Sequence, residues 1–156
     1  MPRNYWMVVT SLENHRITCR NDFNVQGFRE SLRKRVERME IGDRMLFYLS
    51  QEQRFPASAT VTSTFFIDHT ETWVPRSAKE VYPYRVHIEP VALLQEKEFL
   101  DAREIGPRME YVKKWTPELW PLAFIGDLHL IPKKDFALIE DEMKKAESFK
   151  KAAQPR

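Results

Sequence analysis

The sequence predicts an α+β fold built around a mainly antiparallel, barrel-like sheet, and three observations support this class. Segments of strand character follow one another without regular crossover helices, which disfavours a doubly wound parallel sheet. The 156 residues suffice for one domain with a substantial core, and 42% apolar with 31% charged residues is a globular balance. With neither repeat nor linker, we expect a single domain over residues 1–150 and a disordered tail over 151–156.

The first third of the chain predicts a strand followed by two helices. The apolar run YWMVVTS, residues 5–11, is typical of a buried strand. Ser11 is suited to cap a short helix that contains the residues LENHR. Apolar residues then recur at i, i+4, i+8 and i+11, which predicts a helix over Phe28–Met39 that terminates before Gly42.

Strands are predicted for most of the remaining chain. The segment RMLFYLS, 44–50, has an apolar centre without alternation, as expected of a strand that is covered on both faces. Alternating patterns at 57–66 and 84–93 indicate strands with two different faces. After some short helical pieces, a last strand is expected at 127–132 and a final helix from Lys133 to the late 140s.

Composition and motifs exclude several classes of function. The formal net charge is only +2, so attraction to nucleic acid would require a local basic patch. The single cysteine, Cys19, excludes an internal disulfide and a cysteine-rich zinc site, although its neighbour Arg20 could lower its pKa. The single cysteine, together with the lack of a signal peptide and of a long apolar run, indicates a reducing, cytoplasmic setting. No Gly-rich phosphate loop, metal-spaced histidine pair or nucleophile elbow occurs, so we predict no enzyme, metal or cofactor.

A basic patch is predicted on the Phe28–Met39 helix. Its cationic side chains are Arg29, Arg33, Lys34, Arg35 and Arg38. They could neutralise several phosphates of a nucleic acid and make its binding salt-dependent. The alternative is a solvated helix face, since three glutamates offset the charge, and charge alone does not separate the two.

Several aromatic residues lie outside the core pattern. Trp73 is in a polar, proline-containing loop, Tyr82 and Tyr84 flank Pro83, and Trp120 is in a second proline-containing segment. Together they could form a cage that grips a flat base by stacking. For any single one of them, packing over an edge of the sheet is the simpler expectation.

The stretch FNVQGF places two amides between two phenylalanines. Asn24 and Gln26 each carry a hydrogen-bond donor and an acceptor, as needed to recognise the edge of a base. The alternative is that both amides bond backbone groups in a turn before the helix. That alternative is favoured for Asn24, whereas Gln26 is beside Gly27, which lets the backbone approach a ligand.

Five stretches, taken in order, resemble the EVE domain family. They are YWMVVTSLENHRI, FNVQGF, GDRMLFYL, YPYRVHIEPV and LAFIGDLHLIPKKDFALIEDEM, and they extend from Tyr5 to about Met143. The resemblance implies a PUA-like pseudo-barrel flanked by helices and related in fold to YTH domains. It also implies a small pocket for a single, often modified, nucleobase. YTH relatives hold N6-methyladenine of RNA in an aromatic cage, and some EVE domains are similar readers of modified cytosine in DNA.

The resemblance also implies which residues form the pocket. It places Ser11 at the rim and Trp73 at a cage wall. Many relatives have a tryptophan where this chain has Gln26, so an amide replaces one stacking wall and favours a hydrogen-bonded base. Tyr48 and Ser50, at the end of a strand, are weaker candidates for the floor or wall.

Three functions remain open at this stage. The first is a non-catalytic module that recognises a modified base in DNA or RNA. The second is a sensor of a free nucleobase, nucleoside or similar small metabolite, which would use the same pocket without a basic rim. The third, an enzyme acting on a modified base, would need an acid–base group in the cavity, for which Glu13 and Asp22 are the nearest candidates.

Overall fold

Nine strands and four α-helices occur in the residues that the computed structural model describes, which are 4–75, 81–113, 115 and 117–153. The strands are β1 (Tyr5–Thr10), β2 (Val25–Phe28), β3 (Arg44–Leu49), β4 (Arg54–Phe55), β5 (Ala57–Val61), β6 (Phe66–Ile67), β7 (Tyr84–Leu93), β8 (Leu100–Asp101) and β9 (Leu128–Leu130). The α-helices are α1 (Leu12–Arg20), α2 (Arg33–Val36), α3 (Ala102–Ile105) and α4 (Lys133–Ala153). Shorter 3₁₀ helices are Glu30–Leu32, Glu96–Glu98, Gly106–Arg108, Glu110–Val112 and Pro117–Phe124.

The strands form one curled sheet in the order β2-β7-β5-β3-β1-β9. Strands β1 and β3 are parallel, and the other pairs are antiparallel. Off this path, β4 pairs with β3 and β8, and β6 pairs with β7. The predicted class, an α+β fold with a mainly antiparallel sheet flanked by helices, is therefore confirmed.

The apolar runs of β1 and β3 are divided between two cores, because alternate residues of a strand point to opposite faces. The first core, which includes Met7 and Val9, lies between the sheet and the helices α3 and α4. The second core, which includes Trp6 and Val8, lies against β2, β5 and β7. Both central strands are thus covered on both faces, which explains why neither alternates in hydrophobicity.

The predicted helix over Phe28–Met39 is confirmed in its middle part, Glu30–Leu32 and Arg33–Val36, and is wrong at both ends. Phe28 ends strand β2 and is paired with Tyr84 of β7, and only the 3₁₀ helix and α2 that follow are helical. The apolar spacing still marks burial, because Phe28, Val36 and Met39 all lie in the second core. Distant strand pairing therefore overrides the local helical pattern.

Strand β5 is shorter than the strand predicted over 57–66. It ends at Val61, and Phe66 opens the separate strand β6. Ser58, expected on a polar face, is fully buried, and its hydroxyl donates a hydrogen bond to Glu140 Oε2 at 2.6 Å. Glu140 also pairs with Arg44, so a polar contact fastens α4 to β3 and β5.

Helix α4 begins at the predicted Lys133 and continues to Ala153. Part of the expected tail over 151–156 is therefore helical, and residues 154–156 lie outside the described residues. None of the helices in the described part of the chain combines the length and apolarity needed to cross a bilayer.

Candidate functional site

A cavity of about 300 Å³ opens where β1 and β3 end. Because these two strands are parallel, their carboxyl ends meet at one edge of the sheet, and Ser11 and Ser50 follow them there. Gln26 and Gly27 of β2 form another wall, and the loop that carries Trp73 closes the side. This space, called the Trp73 cavity below, is at the small end of the range for ligand pockets and suits one compact group.

The amino-terminal end of α1 forms one lip of the Trp73 cavity. Ser11 caps this helix, as predicted, and its hydroxyl oxygen accepts a hydrogen bond from the Asn14 amide at 3.1 Å. The helix end carries partial positive charge from its backbone N–H groups. The exposed Glu13 carboxylate, in the first turn, offsets that charge at the same lip.

Trp73 is fixed to α1 by its own side chain and by its neighbour. Its indole Nε1 donates a hydrogen bond to Thr18 Oγ1 at 2.9 Å. The next residue, Val74, is paired with the Asn14 side chain: its amide donates to Asn14 Oδ1 at 2.7 Å, and its carbonyl accepts from Asn14 Nδ2 at 3.0 Å. The Asn14 side chain thus bonds both backbone groups of Val74, as the backbone of a neighbouring strand would. These bonds hold the loop against the helix.

Gly27 and Arg85 lie directly opposite each other in the β2–β7 pair, and both contact the Trp73 ring. The Arg85 guanidinium carbon is 4.9 Å from the ring centroid, a cation–π distance. A Cβ added at Gly27 would lie only 2.4 Å from Trp73 Cζ3. Glycine is therefore required here for the close approach of an aromatic ring.

Arg85 is itself held in place by the loop before it. The guanidinium donates to the carbonyls of Tyr82, at 2.9 Å, and Thr70, and it forms an ion pair with Asp68 at 3.3 Å. Only 3% of the residue is exposed, and burial lowers the pKa of the guanidinium. Arg85 thus supports the Trp73 ring from behind while the loop neutralises its charge.

Gln26 lines the Trp73 cavity although it is largely buried. Its Nε2 donates a hydrogen bond to the Gly27 carbonyl at 2.8 Å, so the expectation of a backbone contact is met in part. An amide has two N–H donors and a carbonyl acceptor, and this contact uses one donor. The second N–H and the side-chain carbonyl of Gln26 make no other hydrogen bond in the described part of the chain.

The other predicted aromatic residues are divided between the cavity and the cores. Tyr82 lines the cavity, with its ring edge-on to Trp73 at a centroid distance of 6.0 Å. Tyr84 is buried in the second core and Trp120 in the first, so neither lines the cavity. Of the predicted aromatic residues, Trp73 and Tyr82 therefore line the cavity, and Phe28 at the end of β2 lines it as well.

Tyr48 and Asn24 do not line the cavity. Tyr48 points into the first core, where its ring lies 4.8 Å from that of Phe124, and burial raises its pKa to about 12. Asn24 is exposed just before β2, and its carbonyl accepts a hydrogen bond from Ile88 at 3.0 Å. Tyr48 lies within β3 and is covered by the first core, whereas Ser50 follows the end of the strand and lines the cavity.

The predicted basic patch is dispersed because its helix is short. Arg29 lines the Trp73 cavity and pairs there with Asp127. Arg33 pairs with Glu37 at 2.8 Å, and Lys34 is exposed without lining this cavity. The remaining two, Arg35 and Arg38, lie beside β9 at a different cavity.

The candidates for acid–base chemistry are also separated. Glu13 is at the lip of the cavity, whereas Asp22 is exposed after α1 and does not line it. The suggestion that Arg20 lowers the pKa of Cys19 is wrong, because partial burial raises that pKa. In the described part of the chain, no group of three His, Cys, Asp or Glu side chains could hold a metal ion.

The overall fold of the chain is similar to that of YTH domains. It is similar to the Mmi1 YTH domain, with a TM-score of 0.64 and 13% identity over 94% of this chain and 78% of that one. It is also similar to the YTH domain of the Zygosaccharomyces rouxii MRB1 protein in complex with N6-methyladenosine RNA, with a TM-score of 0.63 and 15% identity over 90% and 84%. The chain therefore has the fold of the YTH domains, in agreement with the predicted PUA-like pseudo-barrel.

The sequence comparison gives the particular family. The EVE domain profile matches residues 4–141, so the chain belongs to the EVE domain family. A UPF0310 protein of Pyrococcus horikoshii is 26% identical over 147 residues, which cover 87% of this chain and 96% of that protein. A UPF0310 protein of Pyrococcus abyssi has the same identity and coverage. The resemblance noted in the sequence is confirmed.

Proposed function

We propose that the chain is a non-catalytic module whose Trp73 cavity binds one modified nucleobase of a DNA or RNA strand. The observation that carries the proposal is the anchored Trp73 ring beside the Gln26 amide in a cavity for one compact group. A flat aromatic wall binds any base by stacking, and an amide at its edge selects among bases by hydrogen bonds.

The comparisons support the proposal at the level of fold. Two structural neighbours are YTH domains in complex with N6-methyladenosine RNA or m6A, and they share this fold at 15% identity. The cavity here has an amide at Gln26, and its aromatic lining residues are Trp73, Tyr82 and the largely buried Phe28. We therefore infer a base that is held by stacking on one face and by hydrogen bonds at its edge.

The alternative, a sensor of a free nucleobase or nucleoside, is favoured by one observation. Of the predicted phosphate-binding side chains, only Arg29 lines the cavity, and its charge is paired with Asp127. A ligand without phosphate would meet a nearly neutral rim. Acid–base catalysis has less support, because Glu13 is exposed at the lip and faces no partner carboxylate among the predicted candidates.

Calorimetric titration tests the proposal with short DNA and RNA oligonucleotides that differ in one central base. That base is unmodified, 5-methylcytosine, 5-hydroxymethylcytosine or N6-methyladenine, and the free nucleosides are titrated alongside. We expect one modified oligonucleotide to bind more tightly than its unmodified form. A nucleoside that binds as tightly as any oligonucleotide would support the sensor instead.

Two substitutions locate the binding. Trp73→Ala should weaken the preferred ligand by about 1–3 kcal/mol, the usual contribution of one stacked base. Gln26→Leu, of similar volume, should reduce discrimination among bases more than it reduces affinity. Trp115→Ala is the matched control, since Trp115 is partly exposed and does not line the cavity. Equal affinities for Trp73→Ala and the control protein would place the ligand elsewhere.

A further inference from the structure

A second cavity, of about 290 Å³, lies between residues 35–38, at the end of α2, and the edge strand β9. It is called the Arg35 cavity below. Its floor is Trp6, and its polar lining is Arg35, Arg38, Tyr111 and His129. No aspartate or glutamate is among its lining residues in the described part of the chain, so the lining is cationic.

The polar side chains of the Arg35 cavity are partly ordered by the fold. Arg35 Nη1 donates a hydrogen bond to the Leu128 carbonyl at 2.7 Å, which uses one of five N–H groups. The Tyr111 hydroxyl shares a hydrogen bond of 2.8 Å with His129 Nδ1. Arg35, Tyr111 and His129 all line this cavity, so the three groups surround one space.

Arg38 differs from Arg35 because its guanidinium stabilises no other group in the described part of the chain. Its side chain is exposed, and no hydrogen bond or ion pair of the guanidinium occurs there. An exposed cation beside a second arginine, without a carboxylate in the lining, is suited to an anion with several acceptor oxygens.

The two cavities are adjacent. Asp127 lines the Trp73 cavity and the next residue, Leu128, lines the Arg35 cavity, so their Cα atoms are about 3.8 Å apart. Arg29 and Leu32 border the first cavity, and Arg35 borders the second from the next turn. The two cavities are therefore lined from the same two segments, 29–38 and 127–130, and we expect one strand to be able to reach both.

We propose that the Arg35 cavity binds a backbone phosphate of the nucleic-acid strand whose base occupies the Trp73 cavity. The proposal rests on the proposed function, since it identifies the base as part of a strand. Arg38 and Arg35 supply the charge, and Tyr111 supplies a hydroxyl. A nucleoside, which has no phosphate, gains nothing from this second cavity.

The test compares Arg38→Gln, Arg35→Gln and the double variant with the unchanged protein, using the preferred oligonucleotide at several salt concentrations. We expect each variant to weaken the oligonucleotide roughly two- to fivefold. The slope of log K against log salt should become less steep by about 0.7 for each lost phosphate contact with a single strand. Affinity for the matching nucleoside should not change.

Arg20→Gln is the matched control, because Arg20 is an exposed arginine at the far end of α1 and lines neither cavity. Arg38→Gln is the decisive variant, because it removes no contact within the described fold. An Arg38→Gln protein with the affinity and salt slope of Arg20→Gln would overturn the proposal.

Oligonucleotides that carry one uncharged methylphosphonate locate the contact. Neutralising the phosphate in the cavity should weaken binding to the unchanged protein but not further weaken binding to the double variant. Additive effects at every position would overturn the proposal. The last measurement is a titration with inorganic phosphate alone. If phosphate binds as tightly as the oligonucleotide, the Arg35 cavity is a site for free phosphate and the proposal is overturned.

These outcomes are separable from failure of the proposed function. If no base or nucleoside binds in the Trp73 cavity, Trp73→Ala and the unchanged protein will have equal affinities. If only the second cavity has been misassigned, Trp73→Ala will still weaken the ligand while Arg38→Gln will not.

Discussion

Replacing Gly27 with alanine should displace the Trp73 ring. The added Cβ would meet Trp73 Cζ3 at 2.4 Å, whereas carbon atoms in ordinary contact are about 3.5–4.0 Å apart. The ring must therefore move by about 1 Å or more. It cannot do so freely, because Thr18 holds its nitrogen and Arg85 lies against its ring.

The expected magnitude combines two opposing effects. Forcing a methyl group into a packed site costs about 1–3 kcal/mol. Alanine in place of glycine in a strand otherwise contributes about 0.5–1 kcal/mol, because the unfolded chain has less freedom to lose. Gly27 does not have a positive φ, so alanine meets no backbone strain there. We expect Gly27→Ala to lower the free energy of unfolding by about 1–2 kcal/mol.

A double-mutant cycle isolates the steric effect. In a Trp73→Ala background the clash is absent, so Gly27→Ala should be neutral or slightly stabilising. Urea unfolding followed by circular dichroism gives the four free energies, and the coupling between the two sites should be about 2 kcal/mol. If Gly27→Ala lowers the free energy of unfolding equally in both backgrounds, the close contact between residue 27 and the Trp73 ring is refuted as the cause.

Two further substitutions test residues of α1. His15 is packed edge-on against Phe23 and Phe99, and burial lowers its pKa to about 4 from an ordinary 6.5. The unfolded chain binds the proton more readily, so stability is lost as pH falls from about 6.5 towards 4, by about 3 kcal/mol in all. His15→Leu should reduce the difference in urea stability between pH 7 and pH 4 by that order, and an unaltered difference would contradict the assignment. Thr18→Val removes the acceptor of the Trp73 indole and should weaken the base ligand severalfold, although Thr18 does not line the cavity. Calorimetry measures that loss, and unchanged affinity would show that the indole needs no anchor.

The elements predicted correctly are those whose signals are local. Strand β1, the Ser11 cap and the start of α4 at Lys133 each follow from a run of a few residues. The cavity residues at the ends of strands, Ser11 and Ser50, followed from the same local signals together with the family resemblance.

The missed elements depend on partners far along the chain. The apolar spacing places Phe28 in a helix, whereas the pairing of β2 with β7 joins Phe28 to Tyr84 in the sheet. A pattern at helical spacing marks burial whether or not the backbone is helical, and here it marks one face of the second core. The prediction for Tyr48 is wrong for a related reason, because the apolar run of β3 does not show which of its residues the helices of the first core cover.

The residues that position Trp73 were also missed. Asn14 and Thr18, spaced i and i+4, share a face of α1, and this spacing was the available signal. Short polar side chains on a short helix are usually solvated or bonded to their own backbone. Their partner, the Trp73 loop, is separated from Thr18 by 55 residues, so only the fold brings the two together.

The division of β1 and β3 between two cores has a consequence for how the molecule opens. Either core can be exposed only by breaking strands that the other core also needs, so the sheet should unfold as one cooperative unit. Amide hydrogens of β1 and β3 should then exchange with solvent only through global unfolding.

The loop that carries Trp73 and Val74, called the Trp73 loop here, should open independently of the sheet. It is joined to α1 by side-chain bonds from Asn14 and Thr18 rather than by a strand ladder, so it can detach while the sheet stays intact. Its amides should exchange through this cheaper local opening, and a ligand against the indole should slow them without affecting β1. We therefore expect opening of the Trp73 loop, rather than of the sheet, to limit how fast a ligand enters and leaves the cavity.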